Sequence, residues 1–492
     1  MALTDRHIKN IFIYVMPKFF TYGVHLIVLP ILTRLLSPRE FGVIALMWLF
    51  PSMAVSVLSC ALPAAAQRYY FEYKNDNEKF AAFVFSLQIF LYATMVISSI
   101  GVYFSKDVIS NLTLGESSFG FAIFVTFIAG YLGKINNFYF NLYQNMEKAT
   151  THSIFTVMQS FIIAVGGLIL VWCFKMSYMG VLYGSLLGSG IVCLAMMVHF
   201  NRKLKCSFSA KILWDNMKYG LQVVPKAFTG FVTKFFDKYM LNNMLSLSIV
   251  GIYNIGQIVS NGIFFLMSKV WAAFQPVYYS EVFKKGNQAC EYVGSLFTKF
   301  AYISLAPVLF VILFAQEIVY LLAPVSYHAA IDIIIVLSAA VSMQIFGMYC
   351  GVQYAYSKKA YWIFPITIVG TLVNVVANII LIPRIGLLGA VIASVIFYFF
   401  VNVLLALVGQ RVYRIRYEWK SIIALYVVII LSTISVLYLK HIRFNSIGFY
   451  LVKMGFIVSF FYVGIKSGVM NKQSIMKVKG VLFSFLPKGK AA

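Results

Sequence analysis

About fourteen runs of roughly 20 mostly apolar residues follow one another along this chain, each closed by a short polar connector. They cover residues 11–32, 41–63, 80–104, 119–142, 154–174 and 179–200, and then, beyond a basic stretch, 219–241, 249–271, 296–322 and 331–354. Four more span 361–382, 387–409, 421–439 and 447–465. Each is long enough to cross the hydrocarbon layer as a helix, the one open-ended element whose backbone groups are all satisfied from within. The pattern therefore predicts an all-α integral membrane fold of about 14 transmembrane helices.

Composition supports this and narrows it. Apolar residues make up 61% of the 492 and charged residues 11%, against about 25% charged in a soluble domain. Forty Lys and Arg stand against 15 Asp and Glu, a formal net charge of +25. A basic excess attracts polyanions, yet these residues sit in short connectors between apolar runs, so no nucleic-acid partner is expected. With the N-terminus inside, alternate connectors collect Arg6, Lys9, Arg68, Lys74, Lys79, Lys148, Arg202, Lys284, Lys285, Lys358, Lys359, Arg411, Arg414, Arg416 and Lys420. The opposite connectors hold far fewer, among them Arg34, Arg39, Lys106 and Lys175. Basic connectors mark the cytoplasmic side, which predicts a multi-pass plasma-membrane protein with both termini cytoplasmic. The first run lacks a small-residue cleavage site and is read as a retained span. The basic tail over 471–492 alternates Lys472, Lys477 and Lys479 with Ile475, Val478 and Leu482, a pattern suited to the anionic inner surface.

The two halves resemble each other at a shift of 208–209 residues. Pro17-Lys18-Phe19-Phe20-Thr21 recurs as Pro225-Lys226-Ala227-Phe228-Thr229, and Phe41-Gly42-Val43-Ile44 as Val250-Gly251-Ile252-Tyr253. Tyr69-Tyr70-Phe71-Glu72 answers Tyr278-Tyr279-Ser280-Glu281, Gln144 falls on Gln353, and Gly180 and Ser185 fall on Gly389 and Ser394. Matches at a near-constant offset indicate a duplication. Six helices per unit is an even number, so the second copy enters the membrane with the orientation of the first, a parallel repeat about an axis along the membrane normal. The expected domains are an N-lobe over 1–205, a C-lobe over 206–410, two extra helices over 411–470 and the tail over 471–492. Such folds hold a substrate cavity between lobes that rock alternately open.

A charge inside the hydrocarbon costs about 2.5–3.5 kcal/mol on insertion scales and usually faces a cavity. Those singled out are Lys18, Lys134, Lys226, Lys234, Asp237, Lys238 and Lys269. Lys18 and Lys226 are repeat equivalents, each following a proline in the first helix of its half, and a two-fold axis would aim both into one central space. Snorkelling to the interface is the expected state of Lys134, Lys238 and Lys269. Lys234 and Asp237 share a helix face, which suits an internal ion pair, a substrate contact or an ion-coupling site. Every acidic residue of the first half lies in a connector, so the cavity is expected to be cationic and its cargo anionic. Substrate contacts are thus expected at Lys18, Lys226 and Lys234, with Arg68 at the cytoplasmic mouth. The six scattered cysteines and six histidines show no ligand spacing, and no phosphate-binding loop or nucleophile–base signature is present. No cofactor, metal or enzymatic reaction is expected.

Leu32-Thr33-Arg34-Leu35-Leu36-Ser37-Pro38-Arg39-Glu40-Phe41-Gly42 resembles the opening signature of the polysaccharide transporter family, which includes O-antigen flippases of the multidrug/oligosaccharidyl-lipid/polysaccharide exporter superfamily. Phe236-Asp237-Lys238-Tyr239 through Val250-Gly251-Ile252-Tyr253-Asn254-Ile255 is similar to its helix 7–8 junction. Leu381-Ile382-Pro383 with Gly386, Gly389-Ala390 and Ala393-Ser394 is similar to its helix 11–12 junction. The resemblance covers residues 1–409. It implies two six-helix lobes plus two helices, and as substrate an oligosaccharide on undecaprenyl pyrophosphate moved to the outer leaflet of the bacterial plasma membrane. Membrane lipids and a polysaccharide polymerase complex are the partners it implies. An ion-coupled multidrug exporter, a peptidoglycan-precursor flippase and a non-transporting scaffold are the rival readings.

Overall fold

The computed structural model describes residues 5–202, 207–441 and 446–469, and the side chains of all of these but 5–15, 226–230, 233, 234, 441 and 446. The tail over 471–492 lies outside the described residues. Among the described residues the structure is helical throughout, with no strand. Twelve stretches are long and apolar enough to cross a membrane. One of them, Leu247–Leu313, runs through two successive helices, and a charge-rich helix of 35 residues, Ala210–Met244, lies outside the twelve. The helices thus number about fourteen, as the hydropathy pattern predicts.

We number them α1 Asp5–Leu35, α2 Pro38–Tyr73, α3 Asn77–Leu114, α4 Gly120–Asn145, α5 Ala149–Trp172, α6 Ser177–Asn201 and α7 Ala210–Met244. Next come α8 Leu247–Lys285, α9 Cys290–Leu313, α10 Ala330–Tyr356, α11 Ile363–Ile385, α12 Leu387–Val412, α13 Trp419–His441 and α14 Ser446–Lys466. A short helix, Ala315–Leu322, follows α9. Several helices outrun their apolar runs because their ends are set by caps. In α3, Asp76 accepts hydrogen bonds from the amides of Glu78 and Lys79 at 3.1 Å each, and Gly115 closes the far end at φ 80°. The expected run 80–104 therefore becomes a 38-residue helix. In α2 the helix breaks at Trp48 and again where Cys60 and Ala61 turn left-handed, before Pro63 restarts it at a helix N-terminus, the position proline tolerates.

The chain forms two compact units. The first comprises Met1–Asn254, Tyr320–His328 and Asn378–Ala390. At its centre, α4 packs on α2, α3 and α6. Lipid supplies no hydrophobic push between helices, so close approach and side-chain hydrogen bonds must hold them. On α4, Asn136 donates to the Ser189 carbonyl (3.0 Å), Asn141 to the Pro63 carbonyl (2.9 Å) and Asn145 to the Gln67 carbonyl (2.9 Å). Asn141 and Asn145, four apart, follow Pro63 and Gln67, four apart, along the neighbouring helix. On α6, Gly180, Gly184 and Gly188 form a ridge without side chains that rests on the backbone of α5 at Val171, Gly167 and Ile163.

In the same unit the starts of α2 and α8 cross at Gly42 and Gly251. A Cβ at Gly42 would overlap the Leu247 carbonyl oxygen, and one at Gly251 would overlap the Pro38 carbonyl oxygen. Both pairs of equivalents differ by the 209-residue shift of the sequence repeat. Likewise Gly180 sits against Leu170 and Val171 at the end of the preceding helix, and Gly389 against Leu381 and Ile382 near the end of its own preceding helix.

The second unit comprises Ile255–Val319, Ala329–Ala377 and Val391–Ala492. Its core lies between α9, α10 and α13, where Leu305, Val308, Ile312, Ile334, Ile335, Leu425 and Ile429 are buried together. Tyr278 and Tyr349 stack with ring centroids 4.4 Å apart, and the Tyr349 hydroxyl donates to the Val293 carbonyl at 2.5 Å. The buried polar tip thereby meets an acceptor instead of an apolar wall.

Candidate functional site

Pro17 is buried inside α1, and the next residue, Lys18, is exposed although it belongs to a membrane-spanning helix. Below it, the Thr21 hydroxyl bonds the Pro17 carbonyl at 2.9 Å and meets the Ser160 hydroxyl of α5 at 2.7 Å. Lys18 also acts electrostatically on His152, a buried residue of α5. These groups form a polar seam where α1 packs along α5. A cation next to hydroxyl and imidazole groups inside the span can attract an anion and hydrogen-bond to it.

The repeat equivalent, Lys226, follows Pro225 inside α7, as the sequence predicts, and Lys234 lies two turns further on. The side chains of both lie outside the described residues. Asp237 is 3% exposed. Its carboxylate accepts hydrogen bonds from the Tyr253 hydroxyl of α8 (3.1 Å) and the Asn378 amide of α11 (2.6 Å). Charge-assisted bonds of this kind are the strong ones and hold a buried carboxylate in place. Tyr253 and Asn254 lie in the same sequence motif as Asp237 and Lys238 without being singled out as their partners, and Asn378 is joined to Asp237 only by the fold. Arg68, near the end of α2, is half exposed, pairs with Glu72 at 3.6 Å, and lies over the rings of Tyr69 (4.6 Å) and Tyr219 (5.1 Å).

Of the three lysines expected to snorkel, Lys134 and Lys269 remain partly exposed. Lys238 is buried and donates to the Asn254 carboxamide oxygen at 2.8 Å. Lys134 lies mid-way along α4 with its ammonium 3.4 Å from the Ser56 hydroxyl, and Lys269 sits 4.9 Å from the ring of Phe265. Lys453 of α14 is absent from the charges singled out by sequence, although it lies in the apolar run 447–465. It is 1% exposed, pairs with Glu317 of the short helix Ala315–Leu322, and touches the rings of Phe314, Phe449 and Tyr450.

Long apolar helices with charged residues inside several of them define a multi-pass membrane protein. The comparisons agree on the fold. The lipid II flippase MurJ in an inward closed conformation superposes with TM-score 0.70 and 14% identity, over 94% of this chain and 99% of that one. A multidrug resistance MATE family transporter of the MOP superfamily, inward-facing, gives 0.69 and 18% identity over 80% and 94%. A MOP superfamily transporter from Pyrococcus furiosus gives 0.57 and 18% identity over 82% and 95%. No curated protein sequence matches this chain significantly. The family model described as "Polysaccharide biosynthesis protein" matches residues 7–280, more than half of the chain, and the chain belongs to that family.

Proposed function

We propose that this protein is a flippase that carries an undecaprenyl-pyrophosphate-linked oligosaccharide, an O-antigen or similar repeat unit, from the inner to the outer leaflet of the bacterial plasma membrane. Family membership and the flippase fold support the class. The observation that carries the cargo assignment is Lys18: an exposed ammonium on a spanning helix, beside a proline and a hydroxyl seam, whose Pro-Lys motif recurs at Lys226. In this reading the lobes over 1–205 and 206–410 rock about the duplicated axis, with 411–470 outside them and both termini cytoplasmic. Lys18, Lys226 and Lys234 neutralise the pyrophosphate or acidic sugars while the polyprenyl chain stays in lipid. Arg68 receives the headgroup at the cytoplasmic mouth. Asp237 couples the cycle to an ion gradient. The protein works as a transporter without a chemical step, beside a polysaccharide polymerase complex.

The test is surface polysaccharide in host cells carrying Lys18→Ala or Lys226→Ala in the chromosomal gene. Loss of polymer with unchanged protein in the membrane is expected for each. Normal polymer in both would sink the cationic-cavity reading.

A further inference from the structure

Between the start of α9 and the segment joining α12 to α13, the second unit contains a cavity of about 730 Å³ bordered by Asn287, Gln288, Glu291, Tyr413, Arg414 and Arg416. Pockets of this size take molecules well beyond a single ion. The joining segment is an extended strip in which Tyr413, Ile415 and Tyr417 are buried while Arg414, Arg416 and Glu418 face outward. Alternation of this kind puts residues two apart on one side, so both guanidinium groups project from the same edge.

The strip is fixed along its length. Gln410 clamps Ile415 at both ends, accepting from its amide (2.9 Å) and donating to its carbonyl (3.2 Å). The Gln353 amide donates to the Tyr413 carbonyl at 2.6 Å, and the Tyr413 hydroxyl donates to the Gly286 carbonyl at 2.8 Å. The Arg416 amide donates to the Cys290 carbonyl at 3.3 Å. Holding a short loop by carboxamides from two helices, one of them fully buried, costs ordering that solvent exposure alone would not require, and it sets two arginines beside an open cavity. Arg416 pairs there with Glu291, and both side chains are more than two-thirds exposed. An exposed pair of this kind is worth about 0–1 kcal/mol, so a stronger anion can take the guanidinium from it.

We propose that this cavity is a binding site for the phosphate of a membrane-lipid headgroup, gripped by Arg414 and Arg416. Guanidinium forks match phosphate oxygens bidentately, and Asn287 and Gln288 supply further amide donors for oxygens beside it. Trp419 and Tyr292, next to the cavity residues in sequence, are both exposed, as aromatic side chains at the headgroup level are. Glu291 acts as an internal competitor that keeps Arg416 aimed at the site when it is empty.

The proposal is independent of transport and can be read on the purified full-length protein by native mass spectrometry. Phosphatidylglycerol is titrated against diacylglycerol with the same acyl chains, and inorganic pyrophosphate is added as the soluble source of the same chemistry. The wild type should bind phosphatidylglycerol in preference to diacylglycerol, and pyrophosphate should displace it. The R414Q/R416Q double variant should bind at least tenfold more weakly, and Glu291→Gln, which frees Arg416, at least threefold more tightly. The second variant keeps the test open if the first folds poorly. Equal binding by wild type, double variant and Glu291→Gln would overturn the site. Pyrophosphate binding that depends on both arginines, with no preference for phosphatidylglycerol over diacylglycerol, would overturn the lipid as its source.

Discussion

Gly42 and Gly251, 209 residues apart, meet backbone to backbone, and each lies under the carbonyl of the residue four before the other, Leu247 and Pro38. The crossing is reciprocal, as expected when two copies of one ancestral segment pack about a two-fold axis. A methyl group at either position has no room. Gly42→Ala and Gly251→Ala should each lower stability by about 1–3 kcal/mol, read as a lower melting temperature in detergent. Gly101→Ala, where nothing lies within 4 Å of an added Cβ, should not.

Lys453 and Glu317 make a second test of packing. Removing the carboxylate leaves a lysine that is 1% exposed without its anion, and breaking such a buried pair typically costs about 3–5 kcal/mol. Glu317→Gln should therefore destabilise the protein toward the lower end of that range, since Glu317 itself is partly exposed. A double substitution, Lys453→Met with Glu317→Leu, should recover most of the loss. A double variant no more stable than Glu317→Gln would show that the pair is not what holds α14 to its neighbour.

Asp237→Asn keeps the acceptor oxygen for one of Tyr253 and Asn378, puts an NH2 group in place of the other, and removes the charge. If the carboxylate couples transport to an ion, the variant should reach the membrane at the wild-type level yet lose at least tenfold of its gradient-dependent transport in vesicles. Tyr253→Phe, which removes one of the hydrogen bonds the carboxylate accepts, should lose less. Gradient dependence that survives in Asp237→Asn would assign that carboxylate to structure alone.

Much of the fold is legible in the chain because lipid imposes a simple rule: a spanning segment must be apolar and must satisfy its own backbone. That rule yields most of the helices, although charge-rich α7 falls short of the apolarity of the other spans. It does not yield helix ends. Asp76 and Gly115, not the edge of the apolar run, bound α3. The candidate site is less legible. Lys18 stands out as a charge in an apolar run, but Thr21 and Ser160, 139 residues apart, become one seam only when α1 packs on α5. Lys238 and Lys453 were equally visible as charges, yet their partners Asn254 and Glu317 come from other helices.

By itself, then, the sequence indicated the approximate number of helices, an internal repeat and the sign of the charges, since these follow from local length, periodicity and composition. Tertiary structure alone decided which of those charges are exposed, which are buried, and which side chain answers each. The reason is physical. In a medium without water the state of an ionisable group depends on the few groups within hydrogen-bonding distance, and helix packing brings those from distant parts of the chain. The reciprocal contact of Gly42 and Gly251 belongs to both levels, written in the sequence as a repeat and made into a close crossing only by the fold.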